Sequence, residues 1–227
     1  MNLLLLIGLP LLTAVTVLLS RNKQQVKWIA LVGSVAQLAL AFVLFFIYKH
    51  ERETGNAAQM LFEQNYPLFK SLNINFHLGV DGISIAMILL TAFVVVAGVL
   101  VSWHIEKMTK EFYFLLLLLG MGAYGFFISL DLFILFFFLE ISVIPKYLLI
   151  GIWGSGKKEY SANKLALMLM GGSALILVGI LGLYFAAGRS FDIMELSKAT
   201  VSLSYQQILF PLLFVGFGVF TALFPLH

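Results

Sequence analysis

Residues 131–153 read DLFILFFFLEISVIPKYLLIGIW. As a helix rising about 1.5 Å per residue, this run is long enough to cross a hydrocarbon core of ~30 Å. Near its middle stands Glu140. An ionisable side chain at that depth costs roughly 2.5–3.5 kcal/mol on insertion scales, which marks it as a candidate functional group. Pro145 follows in the next turn and removes one helical hydrogen bond just past the carboxyl group. Lys146 puts a second charge in the same span. A membrane-embedded acid and base on one helix set the question for the rest of the chain.

The surrounding composition agrees with a bilayer setting. Of 227 residues, 61% are hydrophobic and only 11% charged, and mean hydropathy is +1.02. A soluble domain carries about a quarter charged residues. The net charge of +3 is small and its basic residues sit mostly in loops. It is read as a topology signal, and nucleic acid is not expected as a partner. Cysteine is absent, which excludes disulfides, thiolate metal sites and cysteine-held iron–sulfur clusters. The apolar N-terminus has its basic residues after the apolar run, at Arg21 and Lys23, the reverse of a secretory signal, and is read as a retained span.

Hydropathy predicts an all-α polytopic membrane protein of about seven transmembrane helices, near 2–20, 27–48, 79–102, 111–130, 131–153, 161–187 and 207–227. Basic residues such as Lys23, Lys27, Lys107, Lys110, Lys157 and Lys158 favour the N-terminus outside, with the first, third and fifth loops in the cytoplasm. In the long second loop, SLNINFHLG alternates and predicts a short strand or hairpin on the outer surface. FDIMELSKA, after the sixth span, suits a short interfacial helix. Pro211, Gly216, Gly218 and Pro225 predict a discontinuous seventh helix, a form tolerated only in protein or beside water. No P-loop, dinucleotide-binding glycine motif, HExxH or nucleophile elbow occurs.

Each buried charge has a plain reading beside the functional one. Glu140 is either a structural carboxyl bonded to a neighbouring helix or a proton carrier whose affinity responds to nearby charge. Lys146, about 9 Å further along the axis, either snorkels or serves that carboxyl. Lys164, at the start of the sixth span, has the position of a snorkelling end residue. His227, after the seventh span, can shuttle protons near neutral pH. Asp81 and Asp131 open spans and are expected to be helix caps.

LGVDGIS, FFISLDLFILFFFLEISVIPKYLLIGIWG, NKLALMLMGGS and LFPLH together resemble the antiporter-like membrane subunits of respiratory complex I, nearest the branch of bacterial subunit M and mitochondrial subunit 4. The likeness runs from about Leu78 onward and is most specific over 131–154. It implies an antiporter-like fold of about fourteen helices, of which this chain would hold the N-terminal half, stopping inside a family motif. The expected division is 1–78, N-terminal helices and outer loop, and 79–227, the first translocating repeat. The resemblance further implies a proton path through Glu140, Lys164 and His227, with no cofactor on this chain. NADH, FMN, iron–sulfur clusters and quinone would belong to partner subunits, and the location would be the inner (plasma) membrane. The family's lysine in the seventh helix is replaced by Phe220, and Lys146 stands where the family has Met. We therefore expect Lys146 to supply the missing charge. A cation/proton antiporter or membrane-bound hydrogenase subunit, and a non-pumping structural subunit, are the alternative readings.

Overall fold

The computed structural model describes residues 2–225. Six helices are long and apolar enough to cross a membrane: α2 (Lys23–Glu53), α3 (Gly82–Val101, extended by a 3₁₀ turn to His104), α4 (Thr109–Ile128), the pair α5 (Leu132–Ile141) and α6 (Val143–Trp153), α7 (Lys158–Ala186) and α9 (Leu203–Phe220). Before them, α1 (Leu4–Leu19) has 16 residues, about 24 Å of helix, and is the shorter form of the expected first span. The chain is thus a mostly helical multi-pass membrane protein, as its hydropathy predicts.

Side-chain caps set several helix starts. Asn22 accepts from the Gln24 amide, Asp81 from Ser84, and Asp131 from Phe133 and Ile134, so the caps read from Asp81 and Asp131 hold. The seventh helix differs from expectation in where it breaks. α9 runs through Pro211 without interruption and stops at Phe220, after which the chain turns at Ala222 with φ +52°. One missing amide is tolerated in a helix that neighbouring packing holds.

Between α2 and α3 lies an antiparallel hairpin, β1 (Leu61–Phe69) and β2 (Ile74–Val80), with Asn65 opposite His77 and Tyr66 opposite Phe76. The hairpin forms as the alternation predicts, but its first strand comes from a stretch whose polarity reads as loop. Its inner edge is laced to the α4–α5 junction and to the segment before the one-turn helix α8 (Ile193–Leu196). The Leu130 amide donates to His77 O at 2.8 Å, Ile193 to Leu130 O at 2.8 Å and Leu132 to Phe191 O at 2.9 Å. Side chains tighten the same seam: the Asn75 amide donates to Asp131 Oδ2 at 3.1 Å, and His77 Nδ1 lies 2.6 Å from Asp192 Oδ2.

On the other side Trp28 meets Trp103 edge-on, with centroids 5.4 Å apart, and Trp153 Nε1 donates to Lys107 O at 2.8 Å. Even-numbered loops therefore gather at one end and odd-numbered loops at the other, as alternating spans require. The two last membrane helices touch through glycines. A Cβ on Gly172 would stand 2.9 Å from Val219 Cβ, one on Gly179 2.6 Å from Leu213, and one on Gly216 2.9 Å from Gly172 O. Missing side chains let α7 and α9 approach backbone to backbone.

Candidate functional site

The span 131–153 is two helices in line. At Ser142 the ladder tightens: its amide donates to Leu139 O at 3.2 Å and its Oγ to the same carbonyl at 2.7 Å. Pro145 has no amide to give to Ile141 O, so the join lacks a rung. The reading of Pro145 as a loosening just past the carboxyl agrees with this. Gly122 of α4 lies against the join, where an added Cβ would be 3.1 Å from Phe138 O and 3.2 Å from Ser142 Cβ.

Glu140 is the penultimate residue of the first of these helices. Its Oε1 is buried with no hydrogen-bond partner among the described residues. The Ser173 hydroxyl of α7 stands beside the carboxyl, donating at 3.0 Å to Met170 O. Ser173 is placed by Ile176 and Ile180, the next residues on its face of α7, which pack on Ile134 and Phe138 of α5. Glu140 also lines a cavity of about 860 Å³ between α5–α6 and α7, with Phe137, Ile144, Tyr147, Asn163 and Met170 in its wall. Tyr147 Oη donates to Asn163 Oδ1 at 3.1 Å, so this mostly apolar cavity has a polar end.

Lys146 is half-buried and electrostatically coupled to Glu140, yet forms no ion pair within 4.0 Å among the described residues. Its ammonium lies over the Phe220 ring, 5.9 Å from the centroid. It borders a second, smaller cavity of about 290 Å³ with Thr91 and Ser142. Lys164 is exposed on α7, next to Asn163 of the larger cavity wall. His227 lies outside the described residues. The structure thus brings Glu140 and Lys146 together and leaves Lys164 at the periphery. Ser173, Asn163, Tyr147 and Ser142 were not singled out by sequence, since a hydroxyl or amide in an apolar span carries no signal of what it faces.

Among the described residues no group of three or more His, Cys, Asp or Glu side chains is spaced to hold a metal ion. What the arrangement offers chemically is a buried carboxyl with a hydroxyl beside it and one lysine within electrostatic reach.

Residues 129–227 match the family described as NADH:quinone oxidoreductase/Mrp antiporter, TM, and carry that domain. The chain is homologous to NAD(P)H-quinone oxidoreductase chain 4: it is 33% identical over 225 residues to chain 4-3 of Nostoc sp., covering 98% of this chain and 40% of that one. It is also 33% identical over 204 residues to the chloroplastic chain 4 of Angiopteris evecta, covering 89% of this chain and 40% of the relative. The chain spans about two fifths of the length of these relatives. Among solved structures, the fold matches a chain of respiratory complex I from Thermus thermophilus with a TM-score of 0.86 at 23% identity, covering 100% of this chain and 45% of that one. It matches the Mrp complex from Dietzia sp. with a TM-score of 0.83 at 14% identity, covering 100% of this chain and 24% of that one.

Proposed function

We propose that this chain belongs to a proton-translocating membrane subunit of an NADH–quinone oxidoreductase, with electron transfer carried out on cofactors of partner subunits. Residues 79–227 form the translocating part and 1–78 support it. The neighbouring membrane subunits of such a complex are its partners, the inner membrane its location, and the N-terminus faces outward. The observation that carries this reading is the buried, unpartnered Oε1 of Glu140 at a helix break beside a cavity, with Lys146 coupled to it.

The physics needed is modest. Moving a unit charge from about 10 Å to about 4 Å of a carboxylate, at an effective dielectric near 20, changes their interaction by roughly 2.5 kcal/mol. Each unit of proton affinity is worth about 1.4 kcal/mol, so such a shift changes occupancy well over tenfold without large helix motion. Lys146 is the charge that moves. Lys164 and His227 are the further members of the path.

Glu140→Gln in the assembled complex tests the reading. The expected result is loss of proton uptake per electron in inverted vesicles, with assembly intact. Undiminished uptake with normal assembly would make the chain a structural subunit. A second reading, a cation/proton antiporter subunit, is favoured by the Mrp half of the matched family description. Sodium/proton exchange without a redox substrate distinguishes it.

A further inference from the structure

We infer that the Phe220 ring is the resting place of the Lys146 ammonium, which makes Phe220 a positioning residue that holds the cation clear of Glu140 until that carboxyl is charged. This rests on Glu140 exchanging protons. The ammonium stands 5.9 Å from the ring centroid, inside the reach of a cation–π contact. Among the described residues it has no carboxylate within ion-pair distance, and the ion pairs are Lys49–Glu53 and His77 with Glu63 and Asp192. Phe220 is also the last residue of α9, so the cation sits by a helix end where partial negative charge collects.

The alternative position is beside Glu140. Glu140 is the titratable group coupled to Lys146, and its Oε1 is unpartnered. From α3 and α4 the lysine meets Thr91 and otherwise apolar side chains and a glycine, around a cavity of about 290 Å³ that leaves its flexible stem loosely packed on that side. A neutral carboxyl competes poorly with an aromatic face for an ammonium. A carboxylate at contact distance exceeds it at the dielectric of a protein interior. The ring thus stabilises one of two positions, and the protonation of Glu140 selects between them.

The test compares Phe220→Leu, Phe220→Met, Phe220→Trp, Lys146→Met and the Phe220→Leu/Lys146→Met pair in the assembled complex, by initial proton uptake in inverted vesicles at saturating NADH. Loss of the ring should slow uptake about tenfold, and tryptophan should restore it to within about twofold of the wild type. In the Lys146→Met background, Phe220→Leu should add nothing. Wild-type uptake in both ring-less variants would overturn the inference, as would an equal loss with and without Lys146, which would make the ring ordinary packing. Phe220→Met, an unbranched and flexible apolar chain, carries the comparison if Phe220→Leu fails to assemble. Dead Glu140→Gln with normal Phe220→Leu sinks this inference alone, whereas active Glu140→Gln sinks the proton-exchange reading beneath it.

Discussion

Replacing Asp131 with alanine strips three hydrogen bonds from one fully buried carboxyl. Its Oδ1 accepts from Phe133 N at 2.9 Å and Ile134 N at 3.1 Å, and its Oδ2 from Asn75 N at 3.1 Å. Loss of a cap costs about 1–2 kcal/mol. Stranding a buried amide adds about 1–3 kcal/mol. Removing a buried carboxyl returns part of this, and the terms overlap, so the net loss is about 2–3 kcal/mol. For a chain of this size that is a fall in Tm of roughly 5–10 °C. Thermal unfolding in detergent, followed by circular dichroism, measures it. Amide exchange locates it, with protection expected to fall at Asn75, Phe133 and Ile134 and to stay unchanged in α2. A Tm within about 1 °C of wild type, with Asn75 still protected, would refute the idea that this one side chain fastens the hairpin to the start of α5.

Burial pushes the Asp131 carboxyl above its ordinary 3.8, against the pull of three backbone amides and with Asp192 adding to the push. The folded state therefore binds this proton more tightly than the unfolded one. The stability it contributes is full below pH 3.8 and is lost as pH rises through the folded value. Asp131→Asn should flatten that part of the Tm–pH curve, and parallel curves would count against it. Gly216→Ala puts a methyl 2.6 Å from Ile176 Cγ1 and 2.9 Å from Gly172 O, which forces α9 off α7 and should cost about 1–3 kcal/mol in detergent unfolding. His77→Ala leaves buried Asp192 without its 2.6 Å partner and should cost about 1–3 kcal/mol, with exchange rising along β2.

Much of this fold is legible in the chain. Runs of Leu, Phe and Val set the membrane helices, and Asp81 and Asp131 announce their caps before the first helical turn. Pro145 five residues after Glu140 signals a weakened ladder, and the join at Ser142 lies between the two. Other features are written only in three dimensions. His77 and Asp192 are 115 positions apart, and no local pattern pairs them. Ser173 reads as one more small residue in GGS until Ile176 and Ile180 turn its face toward α5. Pro211 shows the limit of breaker counting, since composition cannot separate a proline that a packed helix tolerates from one that ends it. Phe220 reads as a lost lysine in sequence, yet in space its ring meets the lysine gained at position 146.

The glycine-lined contact between α7 and α9 has a bearing on where solvent can travel. At Gly172, Gly179 and Gly216 even a methyl group would overlap the opposite helix. A water molecule needs comparable clearance and finds none along that seam. The open space beside Glu140 lies on the opposite flank of α7, past Asn163 and Tyr147. Along this seam the two helices close like a gasket on one flank of the acid.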